Sequence, residues 1–381
     1  MASNSSHSAP SSSFPVLSGA TGWRLWLVTS VGAYYLAFAL RPTLFSFFAF
    51  SHEFGWFFDS YAILASNDAL VAGLDPWKAN PLDPIGRPHV YSHWWFSLSE
   101  WGFTRKSNFL LGGGFVAAYF IAAFCWLRVR SKSEFAWSFA MLASPGVVLA
   151  VERGNNDLFI CALLIPVAVM LTSNRAWVRW MAMVPLLLAT GLKFYPALGM
   201  LIVLAAPSRK EAWARGVVAA ILLGAVMFNL REDFGLLKNL IPAPRGLMTF
   251  GSSKIFMYFG VSPNLSSLIS FGLGLVILGL CRPWRWLAGW SVPAQDRTAW
   301  LGMMLGAILL VGCFFAGTSY SYRLIFTVML MPMLWRLASG VHTPKPVCRL
   351  AAVTRILLLV VMWLDAILAF IATRTIQFES N

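Results

Sequence analysis

Polar and ionisable residues gather at a few places along this sequence: Asp59 and Asp68; Glu152, Arg153, Asn155, Asn156 and Asp157; Lys193; and Tyr320, Tyr322 and Arg323. Carboxylates can take or give a proton, and arginine and lysine hold phosphate, the first through forked hydrogen bonds and the second as a point charge. Plainer roles exist for each. Asp59 precedes Ser60 and Tyr61 where a helix could start, so it could serve as an N-cap. Arg153 could pair with Glu152 or Asp157, and Lys193 could snorkel towards lipid headgroups. Arg323, close to Tyr320 and Tyr322, could be an interfacial anchor. His89 and His93 are four residues apart, but no third ligand stands at a recognisable spacing and Pro88 interrupts the segment, so no metal site is expected. The five cysteines (Cys125, Cys161, Cys281, Cys313, Cys348) have no paired spacing and imply neither a disulfide nor a zinc site.

The elements that must position these groups are set by composition. Of 381 residues, 58% are hydrophobic and 12% charged, too little polar material to cover a water-facing surface. Apolar runs of near 20 residues recur, and about 20 residues at 1.5 Å rise cross the roughly 30 Å of a bilayer's hydrocarbon. They lack the alternation of barrel strands, so the expected class is all-α, a polytopic transmembrane bundle. Eleven spans are expected: 24–40, 107–127, 134–151, 157–173, 177–192, 194–206, 212–230, 264–281, 299–316, 322–338 and 351–372. The domain plan is a flexible, serine-rich tail over 1–22, one transmembrane domain over 23–373 and a short tail over 374–381. The stretch 177–206 is split at Lys193, because Pro196 disfavours continued helix and a lysine is costly at mid-membrane.

Charge sets the orientation. The formal net charge is +14, which could suggest nucleic acid, but the basic residues are scattered through short loops between spans, so no nucleic-acid partner is expected. With the N-terminus cytoplasmic, the inner segments take most of the positive excess and the outer ones stay near balance, as the positive-inside rule requires. A single crossing over 177–206 would invert every later loop against that rule. The outer face then receives two long segments, 41–106 and 231–262, together with all the clusters named at the start. Asp365, a lone acid inside the last span, stays outside the candidate site.

The first long segment reads Phe54-Gly55-Trp56-Phe57-Phe58-Asp59-Ser60-Tyr61, then Gly73-Leu74-Asp75-Pro76-Trp77, then His89-Val90-Tyr91-Ser92-His93-Trp94-Trp95. Further on come Gly154-Asn155-Asn156-Asp157-Leu158 and Gly191-Leu192-Lys193-Phe194-Tyr195-Pro196. In type and order these resemble glycosyltransferase family 87, polytopic enzymes of the GT-C class that use polyprenyl-phosphate sugars. There an aspartate precedes a Tyr-containing helix, followed by a Gly-x-Asp-Pro-aromatic turn, a Gly-Gln-x-Asn segment opening a span, and Lys-x-x-Pro. The likeness covers roughly residues 54–200. Asn155 stands where the pattern has Gln, and Tyr91-Ser92-His93 replaces Tyr-Pro-Pro.

The resemblance implies a GT-C-like bundle that transfers a hexose, mannose by analogy, from a polyprenyl-phosphate donor to a hydroxyl of a glycolipid or polysaccharide acceptor. The reaction would take place on the outer face of the cell membrane, among membrane lipids and with no cofactor. Asp59 would be the catalytic base, with Asp68 its nearest rival. Arg153, Lys193 and Arg323 would hold the donor phosphate, and Tyr61, Asp68, Tyr91, His93, Asn155 and Asn156 would line the substrate site. Hydrolysis of a glycoside needs a carboxyl pair, whereas phosphate leaves as a stable anion, so one base and a cationic cradle are sufficient. A multi-pass transporter or flippase is the alternative, weakened by the lack of an internal repeat. A membrane acyltransferase would be expected to use a histidine among the helices, and all five histidines fall in loops or the tail.

Overall fold

The apolar runs fold as helices. A computed structural model describes residues 19–48, 50, 52–240, 249–280, 291–316, 319–340 and 343–379. The expected tail up to Ser18, Cys281, His342 and residues 241–248 of the second outer segment lie outside the described residues. In chain order the helices are α1 (Gly19–Leu40), α2 (Phe58–Val71), α3 (Ser97–Glu100), α4 (Asn108–Leu127), α5 (Lys132–Leu142), α6 (Pro145–Arg153), α7 (Asn156–Leu171), α8 (Ala176–Met181) and α9 (Met183–Leu192). They continue with α10 (Arg209–Asn229), α11 (Arg231–Leu240), α12 (Ser253–Tyr258), α13 (Pro263–Leu280), α14 (Arg297–Ala316), α15 (Thr327–Ala338) and α16 (Lys345–Glu379). Tight 3₁₀ segments occupy Pro42–Phe48, Tyr195–Leu204 and Ser321–Phe326. The strands β1 (Thr249–Phe250) and β2 (Ser319–Tyr320) pair antiparallel, Thr249 opposite Tyr320.

Helix occupies each of the eleven expected stretches. By length and composition four helices suffice to cross a membrane alone, Arg105–Leu127, Arg209–Asn229, Ala294–Ala316 and Lys345–Ile371, or six if each bent pair is one span. The chain is therefore an all-α membrane protein. The expected span 134–151 is bent: α5 and α6 meet at 52°. The cause is local, since Pro145 holds Ser144 extended at ψ 153°. Two tyrosines of α1 satisfy carbonyls at the break, Tyr34 donating to Ala143 O at 2.8 Å and Tyr35 to Leu142 O at 2.7 Å.

The centre of the bundle is built by α4, α7, α14 and α15, where Tyr119, Leu158, Leu164, Leu305, Leu309 and Met329 are buried. Around it, α10 and α16 leave leucine, isoleucine and valine exposed along their outer faces, the surface a lipid-facing helix presents. The chain breaks where Lys193 was expected to split it. Lys193 is extended (φ −157°, ψ 120°), and the Tyr195–Leu204 segment returns alongside α9, so that a Cβ on Gly199 would lie 3.4 Å from Leu186 Cδ2.

Candidate active site

Three local devices bring Asp59 to its place. Phe57, in the left-handed region at φ 66°, starts α2 and donates its N–H to Glu152 O at 2.7 Å. Gly154 ends α6 at φ 54°, and a Cβ there would lie 2.9 Å from Phe57 Cβ, so only glycine lets the two chains meet. Asn108, at the start of α4, donates to Trp56 O at 3.2 Å and accepts from Ser60 Oγ at 2.7 Å. Asp59 is consequently buried at 7% exposure in the first turn of α2, where the helix dipole favours a carboxylate. Phe57, not Asp59, holds the N-cap position, and Asp59 meets the side chains of Asn155, Arg153 and Arg87.

Asn155 is the first of these. Its Oδ1 accepts the Asp157 N–H at 2.9 Å and so caps α7. That fixes the amide, and its Nδ2 donates to Asp59 Oδ2 at 2.6 Å. The other carboxylate oxygen, Oδ1, lies 3.5 Å from both Arg153 Nη1 and Arg87 Nη1. At that distance both contacts are long for hydrogen bonds, which leaves Oδ1 able to accept one more donor.

Arg87 escaped the sequence reading. It sits in a loop folded by three Asx-Pro turns, in which Asp75, Asn80 and Asp83 accept from the backbone N–H two residues on, at Trp77, Leu82 and Ile85. Asp83 then grips the Arg87 guanidinium through Nε and Nη2 at 3.1 and 2.8 Å. Nη2 also donates to Phe58 O at 2.9 Å, and the guanidinium covers the Phe58 ring at 3.5 Å. The Asp83–Arg87 spacing was a usable signal, but nothing local pointed it at Asp59. His52, whose Nδ1 lies 2.9 Å from Glu152 Oε1, was missed in the same way.

The second cluster centres on Asp157, which is fully buried. Lys193 Nζ lies 2.6 Å from both Asp157 Oδ1 and Asn156 Oδ1. Tyr195 OH donates to Asp157 Oδ1 at 2.9 Å, and Arg323 Nε lies 3.4 Å from Oδ2. Arg323 is further held by Ser319 Oγ at 3.0 Å and stacks 3.6 Å over the Tyr195 ring. Lys193 and Arg323 are thus not the bare cations the sequence suggested. A buried cation requires a counter-charge, and Asp157 provides it for both. Two buried donors of this cluster, Arg323 Nη1 and Asn156 Nδ2, have no partner among the described residues.

The first loop closes over this cluster. Ser92 Oγ donates to Gly191 O and Trp95 Nε1 to Leu192 O at 3.0 Å, satisfying the last carbonyls of α9. The Trp94 ring lies so close to Gly191 that a Cβ there would fall 1.9 Å from Cζ3. This docking places the Tyr91 ring 5.4 Å from Lys193 Nζ. Burial and the nearby Asp59 charge push the Tyr91 phenol well above its usual range. Burial also drops His89 to about 4. It is neutral, bonded through Nε2 to Ser92 O at 3.1 Å, and part of the loop's framework. His93 turns elsewhere, its N–H and Nδ1 both meeting Asp233 Oδ2 of α11, at 3.0 and 2.9 Å.

Three expected site residues are not brought in, His93, held by Asp233, being one of them. Asp68 and Tyr61 sit nine and two residues beyond Asp59, and at about 100° per residue both fall on the opposite side of α2. There Asp68 accepts from Arg105 Nε at 2.7 Å, with Tyr61 beside the same guanidinium. Asp59, Arg153, Asn155, Asn156, Lys193, Arg323 and Tyr91 form one connected group. No set of three metal-ligating side chains occurs among the described residues.

A carboxylate with a free acceptor position, set beside unpartnered cationic and amide donors, suits transfer of a group from an anionic carrier. The sequence model of glycosyltransferase family 87 matches residues 107–317. The chain belongs to glycosyltransferase family 87. The matched stretch carries Arg153, Asn155, Asn156, Asp157 and Lys193, while Asp59 and Arg87 precede it and Arg323 follows it. Membership makes the protein a glycosyltransferase, in place of the transporter considered above. No curated protein and no solved structure matches the chain.

Proposed function

We propose that this family 87 glycosyltransferase moves a hexose, mannose by family resemblance, from a polyprenyl-phosphate donor to a hydroxyl of a glycolipid or polysaccharide acceptor. The reading takes the bundle as GT-C-like with eleven crossings, the N-terminus cytoplasmic and the site at the outer boundary of the cell membrane. Its main support is the pair of unpartnered buried donors, Arg323 Nη1 and Asn156 Nδ2, beside the Asp59 carboxylate group. A buried donor left unmade costs roughly 1–3 kcal/mol, and a phosphate oxygen would satisfy it.

In the proposed reaction Asp59 takes the proton of the acceptor hydroxyl as its oxygen attacks the anomeric carbon. The bond from that carbon to phosphate breaks, and the polyprenyl phosphate leaves with the electron pair. One displacement inverts the anomeric centre. The donor diester carries one negative charge and the departing monoester gains a second, so Arg153, Lys193 and Arg323 stabilise the transition state more than the ground state. Tyr91 would line the sugar pocket and Asn155 would hold the base, while His93, tied to Asp233, would shape the acceptor side.

The test is transfer from radiolabelled polyprenyl-phosphate hexoses by membranes containing the native chain or Asp59→Asn. Native membranes should transfer label and Asp59→Asn should lose it by at least a thousandfold. Full transfer by Asp59→Asn would remove Asp59 from the base role, and no transfer from any such donor by the native chain would remove the donor class.

A further inference from the structure

At the end of the bundle away from Asp59, α4, α7, α14 and α15 part around a cavity of about 610 Å³, within the roughly 300–1,000 Å³ of ligand pockets. Its polar end is far from the candidate active site, while its upper edge reaches Phe159, two residues past Asp157. Asn108, which braces the start of α2, opens α4, whereas the cavity reaches Leu127 at its other end, roughly 30 Å away at helical rise. The upper wall is small and apolar, with Ala118, Ala122, Ala162 and Leu163. Ile121 and Val169, also in the lining, are 65% and 50% exposed, so the cavity is continuous with the apolar outer surface.

Its polar features are specific. Trp126 and Trp335 line it at 8% and 7% exposure, and each keeps a buried indole N–H without an acceptor among the described residues. The Trp126 ring is pressed against Gly302, where a Cβ would lie 2.2 Å from Cζ2, so it cannot swing away to find one. An indole nitrogen only donates. The missing partner must therefore bring acceptor oxygens. At the rim stand Arg128 and Arg130, both exposed and without an ion pair among the described residues. Glu134 is engaged by the Arg130 N–H at 2.7 Å, and Arg336 is paired with Asp296.

We infer that this cavity binds a glycerophospholipid with an anionic headgroup, its acyl chain between α4 and α7, its ester oxygens on the two indoles and its phosphate against Arg128 and Arg130. Basic pockets between membrane helices on the cytoplasmic side suit such headgroups, and the positive-inside reading puts this end of the bundle there. A soluble anion would meet only the rim. The apolar wall and buried indoles require an amphiphile. The site is independent of the glycosyl-transfer chemistry.

The test uses the full chain, delipidated in detergent and titrated with phosphatidylglycerol or phosphatidylcholine of identical chains, with bound lipid counted by native mass spectrometry. Phosphatidylglycerol should bind about tenfold more tightly. The double change Arg128→Gln and Arg130→Gln, at exposed positions, should bring it to the phosphatidylcholine level. Trp126→Phe, which removes the donor and keeps an aromatic ring, should weaken phosphatidylglycerol several-fold at unchanged helix content. Millimolar inorganic phosphate should not displace it. Equal binding of the two lipids, indifference to the arginine changes or displacement by free phosphate would each overturn the assignment.

Discussion

Asn155 holds Asp59 with one end of its amide and the backbone of α7 with the other, at 2.6 and 2.9 Å. The cap fixes which end faces the carboxylate, because an amide whose oxygen accepts from Asp157 N–H can offer Asp59 only its nitrogen. Helix initiation and orientation of the proposed base are thereby carried by one side chain. Asn155→Ser keeps a capping oxygen and loses the donor, whereas Asn155→Ala loses both. Serine should leave thermal stability nearly unchanged and slow glycosyl transfer by roughly 10- to 100-fold, the scale of a lost charge-assisted hydrogen bond. Alanine should slow transfer as much and also cost about 1 kcal/mol of stability. Native transfer rates in the serine variant would show that the contact does not position Asp59.

Asp68, a rival for the base role, is separated from Asp59 by the geometry of α2. It faces Arg105 on the opposite side, in a pair that is partly solvent-exposed. Such pairs contribute about 0–1 kcal/mol. Asp68→Asn should therefore keep transfer within about threefold of native and lower stability only slightly, in contrast to Asp59→Asn. A loss of activity in Asp68→Asn equal to that in Asp59→Asn would reinstate Asp68.

Much of this arrangement was legible along the chain, and the limits have physical causes. Helix positions follow from apolar length, and the break at Lys193 from a lysine and a nearby proline in an overlong run. Gly154 to Asp157 stand out by family resemblance, and the structure gives them local roles, a left-handed stop and an N-cap. Asp68 and Tyr61 could have been discounted from helical periodicity alone, since only the side of α2 carrying Asp59 can face α6 and α7. Arg87 could not be found that way. Its approach to Asp59 depends on three consecutive Asx-Pro turns folding the loop back onto Phe58. The pairing of Asp157 with Arg323 likewise joins residues far apart in sequence, which no spacing reveals.

The first loop should respond to acid through His89. Burial lowers this imidazole from an ordinary 6.5 to about 4, so between those values the unfolded chain binds a proton that the folded chain refuses. Stability then falls as pH drops below about 6.5 and levels off below about 4. Between pH 7.5 and pH 5 the loss should reach about 2 kcal/mol. His89→Phe fills the same aromatic pocket beside Trp77 and Phe96 without a titrating group. Its thermal unfolding should be flatter across that range, and equal slopes in the two proteins would assign the acid sensitivity to another group.

Asp157 carries the largest structural burden of the site. Asp157→Asn preserves size and can still accept from Tyr195, yet it leaves Lys193 and Arg323 buried without the counter-charge they share. Removing one partner of a buried ion pair costs roughly 3–5 kcal/mol, and here two cations lose the same partner. The variant should be the least stable of those considered, well below Asp59→Asn. Adding Lys193→Met to Asp157→Asn removes one of the stranded charges and should recover part of the loss, giving a favourable coupling in a double-mutant cycle. Additive losses would mean that the 2.6 Å contact between Lys193 and Asp157 contributes nothing to stability. Full activity in Asp157→Asn would separate the pairing from catalysis as well, since a cradle whose cations are free to move should no longer hold a phosphate in line with Asp59.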